Sequence, residues 1–103
     1  MIMTTTDAIP GRTIRETLGV VRGNTVRARH IGHDLMAGLK NIVGGEISEY
    51  TKLMSESREQ CIARMVKEAE KLNADAIVGI RFVTSTVAKG AAELLVYGTA
   101  VKL

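Results

Sequence analysis

The stretch ISEYTKLMSESREQCIARMVKEAEKLNADA, residues 47–76, decides the fold. Tyr50, Leu53, Met54, Ser57, Cys61, Met65, Ala69 and Leu72 form one stripe at the spacing of an amphipathic helix. Lys52, Glu56, Glu59, Lys67 and Lys71 decorate the rest. Ser48 is placed to cap the start, and Asn73 to stop the end. Arg64 and Glu68, four residues apart, form an opposite-charge pair worth about 0.2–0.5 kcal/mol. The predicted span of about 24 residues exceeds the average helix of ~11–12. A helix of that length needs a long surface to rest on.

The flanking segments supply it. AIVGIRFVTSTV, residues 76–87, alternates as a strand, with Val78, Ile80 and Phe82 on one face and Ile77, Gly79, Arg81 and Val83 on the other. AKGA, residues 88–91, turns the chain, and ELLVYGTAVKL, residues 93–103, runs back. The two read as a long antiparallel hairpin. Upstream, Pro10-Gly11 signals a turn. TIRETLGVVRG, residues 13–23, then reads as a strand, with Ile14, Glu16, Leu18 and Val20 opposed to Thr13, Arg15, Thr17, Gly19 and Val21. Gly23-Asn24 suggests a turn or bulge before TVRA resumes the strand. From Gly32 the period changes. Leu35, Met36, Leu39, Ile42 and Val43 predict a short helix that begins near Asp34 and ends at Gly44-Gly45.

The expected fold is therefore α+β: an antiparallel sheet packed on one long helix, plus a short helix. The 103 residues form one domain over 1–103. Both strand faces carry apolar groups, and the long helix covers one. Nothing in a single chain is left for the other, so other subunits are expected to cover it.

Composition narrows the function. The chain is 46% hydrophobic and 24% charged, which is ordinary for a globular protein. Cys61 is the single cysteine, so no disulfide framework indicates secretion. The N-terminus lacks a signal-peptide pattern, and no apolar run reaches the roughly 18 residues that suggest a membrane span. A cytoplasmic protein without a membrane partner is expected. The net charge of +3 resides in residues 1–29, where Arg12, Arg15, Arg22, Arg27 and Arg29 face Asp7 and Glu16. No aromatics interleave with these arginines, which disfavours nucleic acid.

The candidate sites are few. RHIGHD, residues 29–34, places His30 and His33 three apart with Asp34 behind. Both imidazoles can share a helix face, yet a zinc site needs about three or four ligands. The plainer reading is the polar start of a helix. Cys61 falls on the apolar stripe and reads as core. NIVGGEISEY, residues 41–50, offers a helix N-terminus, but Glu46 and Glu49 would repel an anion, which favours a tight helix–helix corner. Arg81 and Tyr97 each project from a mostly apolar strand. A buried arginine needs a partner, for which Asp75, Glu93 and Glu16 are available. Arg81, Tyr97, Tyr50 and Thr99 are the candidates for a subunit junction or a ligand site. No Ser/His/Asp set, Cys/His pair or paired carboxylates can be identified, so no enzyme is expected.

GVVRG (19–23), DLMAGLKNIVGGEISEY (34–50), ADAIVGIRF (74–82) and YGTAVKL (97–103), in this order and spacing, resemble the YbjQ family of small bacterial proteins. The likeness runs from Gly11 to Leu103. The family is described as "putative heavy-metal-binding", and no established reaction comes with it. The resemblance implies a dodecin-like β-α-β-β arrangement with an extra short helix, in a ring-like homo-oligomer, a pentamer. Two departures matter. Glu46 stands where the family reads Arg after Gly-Gly, and His30 and His33 stand where other residues are expected.

Together these readings predict a cytoplasmic homo-oligomeric binding or scaffold protein that holds metal or a small molecule between subunits. The alternatives are a heavy-metal-binding protein using His30, His33 and Asp34 with a divalent metal as cofactor, and an uncharacterised enzyme.

Overall fold

The computed structural model describes residues 1–27, 48–88 and 91–103. In chain order the elements are β1 (Ile2–Met3), β2 (Glu16–Arg27), α1 (Ser48–Lys71), β3 (Ala76–Ala88) and β4 (Ala91–Lys102). They form a four-stranded sheet in the order β1-β3-β4-β2. β4 pairs antiparallel with both β2 and β3, while β1 lies parallel to β3. The α+β expectation holds, with a long helix on a mainly antiparallel sheet. β1, only two residues long, escaped the alternation reading. The short helix expected over 35–43, with its Gly44-Gly45 stop, lies outside the described residues.

α1 forms where the stripe placed it. Ser57, Cys61, Met65 and Ala69, each four residues from the next, are buried, and the last three pack with Val21, Ile77, Leu94, Val96 and Ala100. Leu53 and Met54 are half-buried, and Leu72 is exposed as the stripe ends. The helix closes as a Schellman motif. The Ala74 N–H donates to the Ala69 carbonyl at 3.1 Å, and the Asn73 N–H to the Glu70 carbonyl at 3.0 Å. Asn73 itself takes the left-handed conformation at φ 57°, which asparagine tolerates better than most residues.

Gly23 is where helix and sheet come closest. β2 runs unbroken through Gly23-Asn24, which corrects the expected turn or bulge there. A Cβ at Gly23 would collide with the Cys61 carbonyl oxygen and lie 2.7 Å from the Met65 nitrogen. The glycine serves helix approach rather than chain reversal.

Two bulges set which residues face α1. The β3–β4 register shifts between Val78 and Arg81, with Gly79 at φ 63°. The extra residue turns Ile80 to the same face as Ile77, so both join the core beneath the helix. Opposite them, Gly98 leaves the space: a Cβ there would meet Ile77 Cγ2 at 2.7 Å and Ile80 Cγ1 at 3.1 Å. A second shift between Thr17 and Gly19 does the same on β2. It brings Leu18 and Val21 to the core together and leaves Val20 on the far side. Strict alternation had put Leu18 with Val20, and Ile77 opposite Ile80; each bulge reverses that assignment.

The face away from α1 is covered at one end by the chain's own beginning. Thr4 and Thr6 extend the β1 pairing, with Ile80 N–H to Thr4 O at 3.2 Å and Gly79 N–H to Thr6 O at 2.9 Å. The chain then reverses at Ile9-Pro10-Gly11-Arg12, where the Arg12 N–H reaches the Ile9 carbonyl at 3.0 Å and Gly11 sits at φ 80°. Proline followed by a positive-φ glycine is a type II turn. Ile9 and Ile14 thereby pack against Ala76, Val78, Val101 and Leu103 in a second small core. The expectation that one chain has nothing for this face is corrected at this end. The arm reaches no farther, and Val20, Val83 and Tyr97 remain 66%, 43% and 38% exposed.

Candidate functional site

The open part of the sheet is a ladder of cross-strand rows drawn from β2, β4 and β3. In order they are Val20–Thr99–Val78, whose Val78 end the arm buries, Arg22–Tyr97–Arg81, Asn24–Leu95–Val83 and Val26–Glu93–Ser85. Directly opposed residues on one face sit about 4.5–5.5 Å apart at Cβ. Tyr97 is therefore flanked by an arginine on each side, and Thr99 lies one row along the same strand face. The structure thus brings together three of the four expected junction residues, Arg81, Tyr97 and Thr99. Tyr50 lies in the first turn of α1, and its side chain is outside the described residues.

Arg22 was missed in the sequence. The signal for it is long-range: antiparallel pairing of VVRG with VYGT places Arg22 opposite Tyr97. The guanidinium of Arg22 has no partner among the described residues. Its main-chain N–H donates to Glu68 Oε1 at 3.4 Å. Arg64 Nη1 donates to the Asn24 carbonyl. The two helix residues read as a surface ion pair thus lie along the outer edge of β2. They engage main-chain groups that an added strand would need.

Arg81 is exposed, not buried, and it takes no carboxylate. Its Nη1 donates to the Thr5 and Ile80 carbonyls, each at 2.8 Å. The expected acidic partners are occupied otherwise. Glu93 Oε2 accepts Asn24 Nδ2 at 3.1 Å, and Asp75 Oδ2 accepts the Leu103 N–H at 2.9 Å. Within the chain, Arg81 forms no salt bridge with these described carboxylates. The arm that passes over β3 offers the Thr5 carbonyl, which engages Nη1 together with the Ile80 carbonyl of β3 itself.

Asp75 has a structural task instead. Its acceptance of the Leu103 N–H holds the carboxyl below its ordinary value of 3.8, against partial desolvation, with Lys102, Arg15 and Arg12 adding to the lowering. Arg15 Nε also donates to the Leu103 carbonyl at 2.6 Å, so the end of β4 is clamped from two sides. A carboxyl lowered in the folded state contributes stability above its unfolded value, and loses it as pH falls through the folded one. The stability advantage of the wild type over Asp75→Asn is thus expected to be full above pH 3.8 and to shrink below it. Urea titrations of both proteins across that range check this; a pH-independent gap would contradict it.

Among the described residues there is no group of three or more His, Cys, Asp or Glu able to hold a metal ion. Cys61 is buried, with Sγ donating to the Leu94 carbonyl at 3.3 Å and lying 3.6 Å from Thr25 Oγ1. It behaves as core. The described donors do not fit a metal centre. His30, His33 and Asp34 lie outside the described residues. No described helix is long and apolar enough to cross a membrane.

The fold and this face define a small α+β protein with one long helix on a four-stranded sheet and a basic, aromatic-centred face that no other described element covers. The chain belongs to the YbjQ family, whose model, described as "Putative heavy-metal-binding", matches residues 1–103. It is 60% identical over its full length to a UPF0145 protein of Archaeoglobus fulgidus, covering 95% of that protein. It is 61% identical to one of Vibrio parahaemolyticus, covering 98%. A solved structure of a DUF74-family protein of unknown function from Pediococcus pentosaceus matches with a TM-score of 0.64 at 19% identity, over 100% of this chain and 97% of that one. That likeness extends to the fold alone.

Proposed function

We propose that this is a cytoplasmic, self-associating binding protein, assembled as a dodecin-like ring of copies, a pentamer, that holds a ligand where open sheet faces meet. It performs no catalysis of its own. The observation that supports this best is the exposure of Val20, Val83 and Tyr97 on a rigid sheet the arm does not reach. Contiguous apolar surface of this kind is characteristic of association sites. The edge of β2 argues for burial through the face, because Arg64 and Glu68 already engage its main-chain groups. Two copies stacked face to face about a two-fold axis would set arginine rows against each other across about 10 Å. A heterologous contact repeated around a ring avoids that opposition.

Val20→Asp discriminates. On an isolated chain an exposed substitution changes stability by only about 0.5 kcal/mol. In an assembly that buries Val20, the unpaired charge is expected to dissociate the copies. Sedimentation velocity of the variant checks this: a smaller species with retained circular dichroism is expected, and an unchanged sedimentation coefficient would contradict the assignment.

The family description supports a second reading, metal binding through His30, His33 and Asp34. Elemental analysis after metal loading and desalting, on the wild type, His30→Ala and His33→Ala, tests it. Equal metal content in all three would end it.

A further inference from the structure

We infer that the Arg22–Tyr97–Arg81 row is a binding site for a small ligand that joins one planar ring to one oxyanion, of the class of nucleoside monophosphates. The inference rests on the reading of the open face as the functional surface, and it names the ligand class that face would take.

Three observations carry it. The first is placement. Tyr97 stands on β4 with Arg22 and Arg81 directly opposite it on the two neighbouring strands, all three exposed and on the same face. Strands lie about 4.7–4.9 Å apart, so both cations fall within one ligand length of the ring. An aromatic face offers stacking to a planar group, and guanidinium groups bind oxyanions with paired N–H donors.

The second is charge. In the four open rows Glu93 is the only carboxylate. It stands two rows from Tyr97 and already accepts the Asn24 amide. Glu68 reaches the Arg22 main-chain N–H and Asp7 lies beside Gly79, and among the described residues neither forms an ion pair with the two guanidinium groups. Arg81 is also oriented in advance. Its Nη1 is held by the Thr5 and Ile80 carbonyls, which leaves Nε and Nη2 to serve an acceptor. Such anchoring lowers the ordering cost of binding.

The third is number. Among the described side chains Tyr97 is the one aromatic on this face. Phe82 pairs with Val96 and so belongs to the helix side of the sheet, and Tyr50 is on α1. Single-stranded nucleic acids bind on successive stacking platforms. One platform suits one ring. The apolar and hydroxyl flanks, Val20 and Thr99 on one side and Leu95 and Val83 on the other, give that ring a partly greasy bed.

Isothermal titration of the full chain with adenosine 5′-monophosphate, adenosine, inorganic phosphate and an oligoadenylate tests this, with sedimentation velocity run in parallel. The monophosphate is expected to bind saturably, and adenosine and phosphate each about tenfold more weakly or not at all. Arg81→Gln and Tyr97→Leu are each expected to weaken the monophosphate by about tenfold with an unchanged sedimentation coefficient, and Tyr97→Phe to retain it. No saturable binding, binding indifferent to both substitutions, or affinity that climbs with oligoadenylate length would overturn the proposal. So would variants that lose the assembly and still bind the monophosphate, because Tyr97 and Arg81 would then serve the junction and not the ligand. A monomeric wild type that still binds the monophosphate would refute the ring and leave this site standing.

Discussion

Gly23→Val is expected to unfold most of the protein or to destabilise it by about 3 kcal/mol. The reason is local and steric. The position of a Cβ at residue 23 is already taken by the backbone of α1, at the Cys61 carbonyl and the Met65 nitrogen. Flexible side chains can move aside, but a helix backbone can yield only by lifting away from the sheet. Lifting α1 would open the contacts of Cys61, Met65 and Ala69 with Val21, Val96 and Ala100. Val26→Thr, an exposed change on the same strand, provides the control and is expected to stay within about 0.5 kcal/mol of the wild type. Urea unfolding followed by circular dichroism at equal protomer concentration checks both. A Gly23→Val protein as stable as the control would mean that α1 does not rest on β2 where the structure places it.

Met65→Ala is expected to cost about 2–5 kcal/mol, the range for emptying a buried long side chain. Met65 is fully buried at the centre of the helix face and heads the fully buried side chains by volume. It belongs to one buried cluster with Val21, Ile77, Leu94, Val96 and Ala100. In a domain of this length each kcal/mol lowers Tm by about 4–8 °C. Differential scanning calorimetry at fixed protomer concentration reads this directly; a loss of less than 1 °C would place Met65 outside the core.

The sequence revealed the helix well and the sheet faces less well, for one physical reason. In α1 every fourth residue from Ser57 to Ala69 is buried, and no irregularity interrupts the period. The strands are interrupted by glycines that look alike in a sequence and differ in cause. Gly79 takes a positive φ at a bulge, Gly23 admits a helix, and Gly98 makes room for Ile77 and Ile80. Each bulge adds one residue and exchanges the faces of all that follow, so alternation read across it assigns Leu18 and Ile80 to the wrong side. A glycine reveals that something unusual occurs but not which of the three it is.

The site was legible to a similar degree. Arg81, Tyr97 and Thr99 were picked out as polar or aromatic groups on greasy strands, and all three do line the open face. What they touch was not legible. Arg81 Nη1 is held in part by the Thr5 carbonyl of an arm 76 residues away in sequence, which no local pattern encodes. Arg22 joins the row through the register of β2 on β4, a long-range pairing the alternation of one strand cannot supply. The arm's own packing, through Ile9 and Ile14, depends on a turn that was read correctly at Pro10-Gly11 but not followed to where it leads.

The central claim is that the bare face of Val20, Tyr97 and Val83 is buried between copies of this chain. Multi-angle light scattering on the purified wild type measures this most directly. The account predicts a single species of about five times the 11.1 kDa chain mass that holds on dilution. A monodisperse particle of 11.1 kDa at every concentration would contradict it.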